Sequence, residues 1–305
     1  MALMSPFISA DALYAATARG DRTVILDSHW EPGRNSPEGF SGYPVDNSSW
    51  EAYLSQHIPG SFFCDPQRML VGTPDPRVGR NPLPDPARLQ YFFDEWGLSA
   101  DVPVRIYDAG RMLYAARAWW VLRWAGLTDV SILDGGTAAW TAAGGDLAAG
   151  IGCMRGHGHV DVVPGSMPVL EIGDVDGWLA AGKTLLDVRG EGRFIGRREP
   201  LDRRAGHIPG AVNIPVDLLL GSATGTATGE GHVPAPETVA DRLAGRGITS
   251  GEDVAVYSGS GVDSALFLAL MEHAGLPGAS HFVGGWSQWA ADRSLPAALG
   301  NGSGK

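Results

Sequence analysis

The feature that most constrains this chain is that it repeats itself. His57-Ile58-Pro59-Gly60-Ser61 returns as His207-Ile208-Pro209-Gly210-Ala211, 150 residues later. At the same spacing Ile106-Tyr107-Asp108 is answered by Val256-Tyr257-Ser258. Leu133-Asp134-Gly135-Gly136, through Trp140, is answered by Phe282-Val283-Gly284-Gly285, through Trp289. Val24-Ile25-Leu26-Asp27 pairs in pattern with Leu185-Leu186-Asp187-Val188, and Ala125-Gly126-Leu127 with Ala274-Gly275-Leu276. Blocks recurring in one order at near-constant spacing mean a duplicated unit. The 305 residues then divide into units 1–148 and 165–295, the size of two ordinary domains. The Gly- and His-rich stretch 149–164 reads as a linker, and 296–305 as a flexible tail. His157 and His159 have no Cys or carboxylate cluster around them in the sequence, so no metal site is expected there.

Within each unit, β-rich runs alternate with helical ones. In the first, helices are predicted over 11–18, 50–56, 88–96 and 115–125, with strands over 24–26, 104–107 and 130–133. Such alternation predicts an α/β fold in which a mainly parallel sheet carries helices on both faces. Ligands of these sheets sit outside the carboxyl ends of the strands. Tyr257-Ser258 is at one such end, and Tyr107-Asp108 at its counterpart.

After the strand 254–257 come Ser258, Gly259, Ser260, Gly261, Val262, Asp263 and Ser264, and then an apolar helix. Glycines let this turn be tight, and the amides at the following helix start favour an anion. With a net charge of −11 and pI near 5.1, the chain is a poor candidate for binding nucleic acid or an anionic membrane. A small anion depends on the local field and stays open. Cys64 and Cys153 make neither a disulfide framework nor a zinc site. Met1 to Gly20 has no signal-peptide pattern and no long apolar run, so a cytoplasmic protein is expected.

The doubled His-Ile-Pro-Gly turn, the strand-end Leu186-Asp187-Val188-Arg189 and Gly284-Gly285-Trp286-Ser287-Gln288-Trp289 together resemble the tandem-domain rhodaneses, the thiosulfate and 3-mercaptopyruvate sulfurtransferases. The resemblance implies two rhodanese-like domains, the first catalytically silent. It also implies a small anionic sulfur donor, a thiophilic acceptor such as cyanide, a thiol or a thioredoxin-like protein, and no cofactor. The loop should open with a cysteine that becomes a persulfide, as in Cys-Gly-Ser-Gly-Val-Thr-Ala of the mercaptopyruvate branch. Here Ser258 stands in that place, with Asp263 and Ser264 as further departures. A thiol near pKa 8.5 is readily lowered to a thiolate at a helix start. A serine hydroxyl needs an adjacent base even to attack carbon, and it cannot form a persulfide. The chain is therefore expected to lack sulfur transfer, whether Ser258 is a laboratory change or natural divergence; the altered Asp263 and Ser264 weigh towards divergence. The alternative is a pseudoenzyme acting as a binding or interaction module. A hydrolase or phosphatase is the weakest reading, since neither the Cys nor the loop-closing Arg of the rhodanese-like phosphatases is present.

Other positions follow from the same resemblance. Arg193 matches the arginine directed at the donor's anionic group, with Arg197 a candidate for a second among Arg197, Arg198, Arg203 and Arg204. Ser260, His57 and Asp46 resemble a serine–histidine–aspartate proton relay. Because His57 and His207 open the same turn in both copies, a structural role competes with the relay and prevails for His207. Asp27 and Asp187 read as scaffolding, and Asp108 as a degenerate copy of the loop's first residue.

Overall fold

The computed structural model describes residues 5–30, 48–221 and 232–301. Its first unit runs β1 (Phe7–Ile8), α1 (Ala10–Ala18), β2 (Val24–Asp27), α2 (Ser48–Ser55), β3 (Phe62–Phe63), α3 (Pro86–Trp96), β4 (Val104–Tyr107), α4 (Leu113–Trp124), β5 (Val130–Leu133) and α5 (Gly136–Ala142). After a 3-10 turn at Ile172–Asp174, the second runs α6 (Val175–Ala180), β6 (Thr184–Asp187), α7 (Glu191–Phe194), β7 (Val212–Asn213) and α8 (Val216–Leu220). It continues with α9 (Pro236–Ala244), β8 (Val254–Tyr257), α10 (Asp263–His273), β9 (Ser280–His281) and α11 (Gly285–Trp289).

Both sheets are parallel, in the orders β1-β5-β4-β2-β3 and β7-β6-β8-β9. Val169 forms a parallel bridge to His281, the abbreviated counterpart of β1 on β5. The predicted strands and helices of the first unit fall within a few residues of those observed. Local signals explain why. At α3, for example, Asp85 accepts from Arg88 N at 3.0 Å, Pro86 opens the helix, and Gly97 closes it in a left-handed turn.

Successive strand residues face opposite ways, so each sheet has two cores. Ile25, Tyr107 and Leu133 pack with Leu13 of α1 and Trp140 of α5, while Leu26 and Ile106 face α3 and α4. In the second unit Leu185, Ala255 and Tyr257 meet Trp286 of α11, and Leu186 and Val256 meet α8, α9 and α10. Helices α4 and α10 are buried around most of their circumference, as suits helices between two sheets. They pack on each other, and one core runs through both units. Arg123 of α4 pairs with Glu272 of α10 at 3.1 Å. The start of α10, and the loop before it, therefore lies at the junction of the two copies.

Two expectations about the connecting segments need correcting. The stretch 149–164 lies along the first unit: Gly150 N donates to Leu54 O, Gly156 N to Glu95 O and Val163 N to Ala125 O. Its glycine content reflects close approach, since a Cβ at Gly156 would lie 2.3 Å from the Trp96 carbonyl oxygen. The expected flexible tail 296–305 is pinned over 296–300. Ala298 exchanges both backbone hydrogen bonds with His207, as Ala148 does with His57, and Gly300 N donates to Ile195 O. The pinning repeats an edge pairing already present in the first copy.

Candidate functional site

Strand β8 ends at Tyr257, and Ser258 begins the turn into α10, fully buried. The turn is gripped from α11: Trp286 N donates to the Ser258 carbonyl at 2.8 Å and Ser287 N to that of Gly259 at 2.9 Å. This approach requires glycine at 285, where φ is +54° and a Cβ would lie 2.3 Å from the Ser258 oxygen. Gly136 repeats the arrangement in the first copy, with φ +55° and a Cβ 2.4 Å from the Asp108 oxygen. The duplicated Gly-Gly is thus a device for closing the loop at the strand end.

The side chain of Ser258 enters a buried polar chain. Gly261 N donates to its Oγ at 3.2 Å, Oγ lies 3.0 Å from Ser264 Oγ, and Ser264 Oγ lies 2.7 Å from His281 Nε2. His281 occupies the sheet position held by Ile132 in the first copy. Burial pushes its pKa well below the ordinary imidazole value, and the nearby charge of Arg117 pushes the same way. Its Nδ1 has no partner among the described residues. A histidine that is costly to protonate and has no carboxylate behind it is a weak base for activating serine. The hydroxyl chain holds Ser258 in place without arming it.

Backbone amides of Gly259, Ser260, Val262, Asp263 and Ser264 have no acceptor among the described residues. The first copy differs. There the Asp108 carboxylate accepts from Gly110 N and Met112 N at 2.9 Å, and from Tyr114 N and Ala115 N at 3.2 Å. That loop is filled by its own side chain; the second is left open. Asp263, half-buried at the start of α10, has its carboxyl raised by burial, against the opposing pull of Arg193.

Arginines crowd the loop from both copies. A Cβ at Gly259 would lie 3.1 Å from Arg80 Nη2 and 3.2 Å from Arg193 Nη1. Arg193 also binds Glu199 at 2.8 Å and Asp202 at 3.1 Å, and Arg80 pairs with Asp202 across the two units. Arg189, fully buried, is locked to Asp187 at 2.6 Å and to Glu199 at 3.3 Å, which makes Asp187 part of a charge ladder. Arg197 is exposed and has no partner among the described residues, while Arg204 donates to the Trp289 and Leu295 carbonyls. A cleft beside Gly259's neighbour Arg80 is lined by Asp75, Arg80, Asp202, Arg203 and Ser287.

Of the relay members expected from the resemblance, His57 and Ser260 each have other partners. His57 is buried against Tyr53, with Nδ1 2.9 Å from the Tyr53 carbonyl and its backbone paired to Ala148. His207 stacks on Phe194 in the same manner. Both histidines fasten their turns. Asp46 lies outside the described residues. The partner of Ser260 is instead Asn81, whose Nδ2 donates to Ser260 Oγ at 3.1 Å. A carboxamide cannot move a proton at neutral pH. Asn81, Arg80, Arg117 and His281 were not singled out from the sequence. A signal did exist for His281, an isolated polar residue where the sister strand has isoleucine.

Comparison with known proteins assigns the chain to a family. A family model described as "Rhodanese-like domain" matches residues 37–143 and 171–292. A Mycobacterium tuberculosis protein, SseB, provisionally named a thiosulfate sulfurtransferase, is 37% identical over 297 residues, 96% of each chain. The Escherichia coli 3-mercaptopyruvate sulfurtransferase is 32% identical over 259 residues, covering 82% of this chain and 86% of the relative. The crystal structure of SseA from Escherichia coli superposes with a TM-score of 0.73 at 28% identity, over 93% of this chain and 99% of that one.

Proposed function

Because the chain belongs to the rhodanese family of tandem-domain sulfurtransferases, we propose that it keeps that family's anion-binding loop but has lost sulfur transfer. The observation that carries this reading is the placement of Ser258. Its Oγ accepts from Gly261 N and lies 3.0 Å from Ser264 Oγ, at the loop position where the family's nucleophile is expected. A thiolate there attacks the donor's outer sulfur, expels sulfite from thiosulfate or pyruvate (as its enolate) from 3-mercaptopyruvate, and is left as a persulfide whose terminal sulfur passes to the thiophilic acceptor. An alkoxide is out of reach at neutral pH, and oxygen forms no persulfide. The hydrogen-bonded run through Ser264 to His281 supports a serine native to the site over a single introduced change. Asn81 on Ser260 supports the same reading, because the hydroxyl is met by a carboxamide rather than by an imidazole.

The ligand class is a small anion of the donor type, thiosulfate or 3-mercaptopyruvate, held by the free loop amides. The test is cyanide-dependent thiocyanate formation by the Ser258 chain and by Ser258→Cys, with both donors. Turnover only in the cysteine variant is expected. A folded cysteine variant without turnover favours a binding or interaction module with no residual sulfurtransferase site.

No helix among the described residues is long and apolar enough to cross a membrane.

A further inference from the structure

Arg117, on α4 of the first unit, is a buried cation without a counter-ion among the described residues. Its Nη2 donates to the Asn81 carbonyl at 3.1 Å, while Nε and Nη1 have no partner among the described residues. Burial alone pushes its pKa down to about 10, and no carboxylate pulls it back. Among the described residues the other fully buried arginine, Arg189, has two carboxylates. An uncompensated buried charge is strongly unfavourable, so a chain that keeps one has a use for its field.

What Arg117 faces is the loop of the second unit. A Cβ at Gly261 would lie 3.1 Å from its Nη1. Asn81, whose carbonyl takes Nη2, gives its own amide to Ser260. The loop side offers five amides with no acceptor among the described residues. One copy's loop therefore holds donors around the Asp108 carboxylate, and the other holds donors and a bare cation with no anion. Arg80 and Arg193, by contrast, already face Glu199 and Asp202.

We propose that Arg117 is the counter-charge for the anion bound by the 258–264 loop, so that the anion site is built from both copies. This rests on reading that loop as a donor-binding site. It adds which residue supplies the positive charge and what the first copy contributes besides a wall. The class of ligand is a small oxyanion or carboxylate, whose negative end the amides and the guanidinium share.

The test is thermal melting of the full chain with thiosulfate, sulfite, sulfate and pyruvate at matched ionic strength. At least one anion should raise the wild-type melting temperature by several degrees at saturation. In Arg117→Met the free chain should melt no lower than wild type, because the lost packing is offset by removing the unpaired charge. Its affinity for the anion should fall at least tenfold, while Arg117→Lys stays within about threefold. A methionine variant that melts lower, or fails to fold, marks Arg117 as a structural strut and overturns the proposal. So does unchanged anion affinity, or a lysine variant as weak as methionine. If thiosulfate is inert but another anion binds and depends on Arg117, the donor reading fails and the role of Arg117 stands. No shift with any of the four overturns it.

Discussion

The first copy offers a sharp check on how these loops work. Asp108→Asn keeps the size of the side chain but turns one carboxylate oxygen into an amide donor. Whichever way the amide sits, two of the four loop N–H groups then face a donor. Hydrogen bonds to a charged group contribute about 1.5–3 kcal/mol each, so losing the two longer ones costs about 3 kcal/mol. The remaining pair changes from charged to neutral acceptor and loses about half its strength, a further 1.5 kcal/mol or so. Relief from burying a carboxylate returns part of this, leaving a net loss of about 3 kcal/mol. For a unit of this size that corresponds to a fall of about 6–12 °C in melting temperature. Urea titration of the full chain at pH 7 measures it. A loss below about 1 kcal/mol would refute the view that Asp108 fills an anion cradle.

Three further perturbations follow from the same contacts. Gly285→Ala sets a methyl group 2.3 Å from the Ser258 carbonyl oxygen at a positive φ, and should cost about 3 kcal/mol or more by denaturant titration; Gly136→Ala should cost as much. His281, held neutral by burial, binds no proton when folded but binds one when unfolded below about pH 6.5. Its stabilising effect is therefore complete above that pH and lost on acidification, at about 1.4 kcal/mol per pH unit. His281→Ile should flatten the acid limb of stability against pH between about 6.5 and 5. In the Ser258→Cys background, Asn81→His places an imidazole beside Ser260, and turnover with 3-mercaptopyruvate should rise about tenfold or more; an unchanged rate would deny Ser260 any part in proton transfer.

The duplication and the strand–helix alternation were legible because they rest on local chemistry. His-Ile-Pro-Gly turns, Gly-Gly closures and apolar runs each leave a mark within a few residues, and the spacing of 150 tied them together. Ser258 was legible for the same reason, as a strand-end residue before a glycine turn. What the sequence hid is convergence across the junction of the copies. Asn81 sits in the long connection before α3 and Arg117 in α4, yet they meet each other and the 258–264 loop because α4 packs on α10. His57 carried the motif, while Asn81 reached Ser260. Glycine-rich 149–164 read as a linker because composition does not distinguish a free chain from one pressed against another backbone.

The atom at position 258 decides whether sulfur can be held, and intact-protein mass spectrometry after incubation with thiosulfate or 3-mercaptopyruvate reads it directly. The Ser258 chain should keep its mass, and folded Ser258→Cys should gain one sulfur atom that cyanide removes. A cyanide-labile sulfur on the Ser258 chain, or a folded cysteine variant that gains none, would contradict it.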